Sequence, residues 1–172
     1  LFSTLIGKEA HSTSFIAPRQ ESRSEENNKQ IIQDFYKAMI NKDLKTIYAL
    51  LSENYTMKSL NHQSIEPPSQ YDAFSKNLDV RIKALHHSFP DFKVEIIEIV
   101  SEGKKALAMT QLTGIQKGSF LGLEPTGKRT IIHMMSLFLI ESGKITDIQE
   151  MWNELDVMKQ LGYILLRYFF LM

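Results

Sequence analysis

Apolar and polar positions alternate with two different periods along this chain, and the period changes once. From residue 22 to about residue 90 the apolar residues recur every three or four positions. Ile31, Ile32, Phe35, Tyr36, Met39 and Ile40 fall on one stripe of a helix. Ser22 and Glu25 have the spacing of a capping box, so the helix starts there, and Asn41 is its expected end. A shorter helix from Asp43 turns Leu44, Ile47, Leu50 and Leu51 inward, and an extended piece follows from Tyr55 to Leu60. Pro67 and Pro68 mark the next loop, NHQSIEPPS. Ser69 and Asp72 open a third helix with Phe74, Leu78, Ile82 and Leu85 on its buried face, and Pro90 lies just past its end.

Beyond Pro90 the period becomes two. Strands are predicted over Lys93–Val100, Lys105–Thr113, Thr130–Ile140 and Lys144–Asn153. A phase slip at Ile96–Ile97 predicts a bulge in the first. Glu102-Gly103 and Ser142-Gly143 are tight turns, and the longer loop KGSFLGLEPTGKR lies between the second and third strands. A last helix runs from Glu154 to Tyr163 and beyond, with Leu155, Met158 and Leu161 on one side. Helices followed by hairpin-linked strands make an α+β domain. A curved sheet wrapped on a long helix leaves a cone with an apolar cavity, the default place for a small ligand.

Three segments follow from this pattern. Residues 1–26 are Ser- and Thr-rich, lack sustained periodicity and lack the apolar stretch of a signal peptide, so they read as an arm. Residues 27–163 form the domain, and residues 164–172 continue a hydrophobic tail. The chain begins at Leu1, which reads as a partial or processed end. The stretch Tyr163–Met172 is the most apolar in the chain, but it is too short for the roughly 20 residues of a bilayer span.

Composition narrows the chemistry. The 172 residues carry 20 basic and 20 acidic side chains, a balance that argues against a nucleic-acid-binding surface. There is no cysteine, which excludes disulfides, thiolate metal sites and a cysteine nucleophile. The expected location is the cytoplasm. His86 and His87 are adjacent, about 100° apart on a helix, and His62 and His11 are far off in sequence, so no metal site is expected. The PTGKR loop lacks the glycine spacing of a phosphate-binding loop and reads as a hairpin connection.

Four motifs then line up: HHSFPDFKVEI (86–96), GSFLGLEPTGKR (118–129), SGKITDIQEMWNELD (142–156) and KQLG (159–162). In this order the chain resembles the SnoaL-like polyketide cyclase (ester cyclase) family of the nuclear transport factor 2-like superfamily, over about residues 27–163. The segment with Asn28, Phe35-Tyr36 and Asp43 is similar to that family's opening. The resemblance implies a cone-shaped α+β barrel with an extra N-terminal arm, and a pocket between sheet and helices for a small hydrophobic ligand. It implies intramolecular aldol chemistry without metal or cofactor, with a pocket Asp as general acid/base and polar donors to the enolate. It also implies a homodimer, formed by the strand Thr130–Ile140 and the tail YILLRYFFLM.

Its site residues map unevenly. The family's Asp lies eight or nine residues before the Gly of QLG. Nine residues before Gly162 stands Asn153, which can donate a hydrogen bond but cannot act as a base. Asp156 is the nearest replacement, or simply a helix-start residue favoured by the dipole. Asp147 shares a strand face with Ile145, Met151 and Asn153: it points into the pocket if they do and into solvent otherwise. His133 is a proton-shuttle candidate or a core histidine opposite Trp152. Asp147, Asp156 and His133 are thus the catalytic candidates. Tyr36, His62, Met135, Met151, Trp152 and Asn153, with Met134, are the expected pocket walls. Where the family often has Thr-His before the loop's Gly, this chain has Ile115-Gln116. A non-catalytic ligand-binding or dimerising module of the same fold is the alternative.

Overall fold

The computed structural model describes residues 22–60 and 77–163. Helix α1 is Arg23–Ile40, α2 is Leu44–Leu50 and β1 is Leu51–Ser59. Helix α3 is Leu78–Ser88. Strands β2 (Lys93–Glu102), β3 (Lys105–Ile115), β4 (Arg129–Glu141) and β5 (Lys144–Trp152) follow, and α4 is Glu154–Leu161. The strands form one sheet in the order β1-β5-β4-β3-β2. Strands β2 to β5 pair antiparallel in succession, while β1 pairs parallel to β5, an edge that the hairpin pattern does not anticipate.

The helix ends are set by side chains. Ser22 Oγ accepts from Glu25 N at 3.3 Å and Ser22 N donates to Glu25 Oε2 at 2.8 Å, closing the expected capping box. Glu25 has a second partner, since Gly103 N donates to its Oε1, and Asn28 donates to the Gly103 carbonyl at 2.9 Å. The start of α1 is therefore fastened to the β2–β3 turn, and the helix begins inside the stretch read as an arm. Leu51 is extended (φ −87°, ψ 152°), so it ends α2 and starts β1 rather than completing the helical stripe. Asn77 caps α3 by accepting from Val80 N. The start expected at Ser69–Asp72, with Phe74, Pro67 and Pro68, lies outside the described residues, as do most of the arm and the tail.

The buried stripe of α1 lies on the inner face of the sheet. Phe35, Tyr36 and Phe138 pack edge to face, with centroids 5.7 to 6.2 Å apart. The expected bulge in β2 is present: Ile96 pairs with Thr110 and Glu98 with Met109, leaving Ile97 as the extra residue. A second bulge was not legible in the spacing. Ile140 pairs with Ile145 across the Ser142-Gly143 turn, as expected, but Leu139 pairs with Asp147, so Thr146 is extra. From there on the side-chain phase of β5 is reversed. Among the described residues, no helix is long and apolar enough to cross a membrane.

Candidate functional site

A cavity of about 410 Å³ lies between α1, α3, the inner face of the sheet and the turn at residues 119–122. Its wall is mostly apolar, with Phe35, Met39, Leu78, Ile82, Leu112 and Ile132 among its residues. Against this wall stands a small polar group. Glu150 is buried and its carboxylate accepts from the Arg81 guanidinium, whose other terminal nitrogen lies 3.0 Å from Met57 Sδ. Glu150 is the one carboxylate, and Arg81 the one cation, among the described residues lining the cavity.

Tyr36 comes from the other side. Its hydroxyl donates to Ser136 Oγ at 3.0 Å, and Ser136 is the cross-strand partner of Glu150. Burial pushes the Tyr36 phenol well above its ordinary pKa, and the negative charge of Glu150 adds to the shift. The hydroxyl therefore stays a donor across the working pH range. Behind it the buried Thr110 Oγ1 makes no hydrogen bond among the described residues.

A pH dependence follows from Tyr36. In the unfolded chain a phenol ionises near pH 10, while in the fold Tyr36 holds its proton. The native state then binds more protons than the unfolded one, so this contribution is complete below about pH 10 and is lost as pH rises further. Tyr48, pushed up to about 12 mainly by its hydrogen bond to Asp79, acts in the same direction. Tyr36→Phe should therefore flatten, not abolish, the alkaline fall in stability. Urea midpoints at pH 8 and pH 10.5 test this, and equal falls in both proteins would rule it out.

Of the expected site residues, Tyr36 and Trp152 line the cavity, as does Met134, the cross-strand partner of Trp152 on β4. The Thr146 bulge moves the others. Ile148, Glu150 and Trp152 turn inward, and Asp147, Gln149 and Met151 turn outward. Asp147 accepts from Thr56 Oγ1, and from Gln149 Nε2 at 2.7 Å, on the outer face. Met151 and Met135 are an exposed cross-strand pair on the same face. His133 is exposed and hydrogen-bonds Gln111 at 3.1 Å; the bulge gives its expected partner, Trp152, to Met134 instead. Asn153 caps α4 by accepting from Asp156 N, and Asp156 is an exposed helix-start residue bonded to Gln160. None of Asp147, Asp156, His133, Met135, Met151 and Asn153 lines the cavity. His62 lies outside the described residues.

Two residues of the site were missed, and both carried a signal. Glu150 lies at two-residue steps between Ile148 and Trp152, a charge on an apolar strand face. Arg81 lies three residues after Leu78 and four before Leu85, a charge on the apolar helix face. Gln116, in place of the expected His, is fully buried and organises the loop: its Oε1 accepts from Thr126 N and Oγ1, and its Nε2 donates to the Tyr163 hydroxyl at 2.7 Å.

A curved sheet closed by helices over one apolar cavity places the molecule in the nuclear transport factor 2-like fold. Similar solved structures include AclR of Streptomyces galilaeus (20% identity, 82% of this chain and 88% of that one, TM-score 0.67). TsrD of Streptomyces laurentii is similar too (22% identity, 84% and 100%, TM-score 0.66). So is a nuclear transport factor 2-like protein of Burkholderia xenovorans (17% identity, 82% and 100%, TM-score 0.56). The chain belongs to the SnoaL-like polyketide cyclase family, whose model matches residues 30–161. No curated protein matches the sequence significantly.

Proposed function

We propose that this protein is a cofactor-independent cyclase- or isomerase-type enzyme, acting on an apolar carbonyl compound of polyketide type. The observation that carries the reading is a buried carboxylate, Glu150, paired with Arg81 in an otherwise apolar cavity. In the aldol form of the reaction, Glu150 takes a proton from the carbon beside a ligand carbonyl. The electron pair moves onto the carbonyl oxygen, where the remaining N–H groups of Arg81 are the available donors. The enolate carbon then closes the ring on a second carbonyl of the same molecule, whose oxygen takes up the proton. Trp152, Met134 and Phe120 hold the apolar body of the ligand.

A second reading, a ligand-binding module without chemistry, is favoured by Asn153. It stands where the family carries its Asp, and its side chain is spent on capping α4. In both readings the outer sheet face is covered by a second copy of the chain, because Ile131, Met135 and Met151 are exposed together there.

Native mass spectrometry of protein purified from its own host, followed by ligand extraction, tests these points together. The expected result is a dimer mass carrying an apolar carbonyl compound that the protein turns over. A bound compound without turnover moves the assignment to the binding module. An empty cavity removes the support for either ligand, and a monomer at micromolar concentration removes the dimer.

A further inference from the structure

Phe120 and Leu123 exchange two backbone hydrogen bonds, at 3.1 and 3.0 Å, around Leu121 and Gly122. Both central residues have positive φ, 52° and 78°, so this is a two-residue turn of type I′. Its first position favours Asn, Asp or Gly, because a larger side chain meets its own backbone there. The Ser142-Gly143 turn has the same geometry (φ 50° and 75°) and uses a small polar residue. Among the described residues with positive φ, Leu121 is the only apolar one apart from glycines.

The surroundings hold this conformation in place. Lys117 N and Gly118 N donate to the Ser88 carbonyl at 2.8 and 3.2 Å, and Ser88 Oγ donates to the Ser119 carbonyl. The Phe120 ring packs on Phe89 and Trp152, with centroids 5.1 and 6.1 Å away. Leu121, half-buried at the tip, lines the same cavity as Arg81 and Glu150. A local cost that persists in a tightly anchored turn, at the wall of a cavity, points to use of the side chain.

We propose that Leu121 is a specificity-determining residue of the cavity, which packs on the apolar part of the ligand and is retained there at the expense of turn stability. The inference rests on the cavity being the ligand site, but its stability arm does not. The test compares wild type, Leu121→Asn, Leu121→Ala and Ser142→Asn by thermal unfolding and by titration with the amphiphilic fluorophore 1-anilinonaphthalene-8-sulfonate, whose aromatic rings enter apolar sites.

Leu121→Asn should melt about 2–4 °C higher and bind the probe about tenfold more weakly, the loss expected for one buried leucine side chain. Leu121→Ala should bind as weakly without melting higher, since alanine keeps the strain. Ser142→Asn, in the solvent-facing turn, should bind the probe like wild type. A Leu121→Asn protein that melts no higher than wild type overturns the strain. One that melts higher but binds the probe undiminished overturns the contact. A wild type that binds no probe overturns the cavity reading and this inference with it, whatever the melting temperatures do.

Discussion

Phe138→Ala should lower the free energy of unfolding by about 3–5 kcal/mol, the range for truncating a fully buried aromatic side chain. Phe138 has no exposed surface and sits at the inner centre of the sheet, with Ala106 and Ile148 as its cross-strand partners. Its ring meets the edges or faces of both Phe35 and Tyr36, so it joins α1 to the strands. Alanine leaves a void, and the neighbours are β-strand and helix backbones that can close on it only in part. Against a typical total of about 5–15 kcal/mol, the loss is a large share of the stability. Urea unfolding at neutral pH measures it, and a loss below about 1 kcal/mol would mean that the α1–sheet contact is not the main core.

Glu150→Gln should reduce turnover by about 10²- to 10⁴-fold, the usual contribution of a general base, while the KM for the extracted compound changes only a few-fold. The amide keeps the volume of the carboxylate and can still accept from Arg81, so the pocket wall is preserved and only the proton acceptor is lost. Arg81 retains some contact with solvent, its side chain being 21% exposed, so losing the opposite charge should not unfold the protein. Thermal unfolding of the variant checks that point. If turnover survives, Glu150 is not the base; if the KM rises in step with the loss, its role is binding.

Much of the fold was legible because each element carries its own period and its own stop. The capping pair at Ser22 and Glu25, the β2 bulge at Ile97 and the Ser142-Gly143 turn are local signals, and local signals can be read without the rest of the chain. The parallel pairing of β1 with β5 joins residues about as far apart as Leu51 and Ile145, and no spacing within either strand announces it. The site was harder to read for a related reason. The residues chosen on β5 were phased from Ile145, and the extra residue at Thr146 reversed that phase before Asp147. Tyr36 was legible because it lies on the buried stripe of a helix, whose phase no bulge interrupts. A bulge has no compositional signature as strong as a Gly-containing turn, so the inward face of the strand stayed open and its carboxylate, Glu150, was not among the candidates.

The bulge also makes the last strand's chemistry depend on register more than on substitution. Drawing Thr146 into the ladder, with no residue lost, would leave every later side chain in its order but rotate it to the opposite face. Asp147, Gln149 and Met151 would then face the cavity, and Glu150 and Trp152 would face the outer side of the sheet. A descendant of this chain could therefore exchange one set of site residues for another through a change that straightens the bulge, whereas losing Thr146 itself would keep the present set facing in. The alternative set is already written between the present one, so divergence in this scaffold does not require new side chains to arise one at a time.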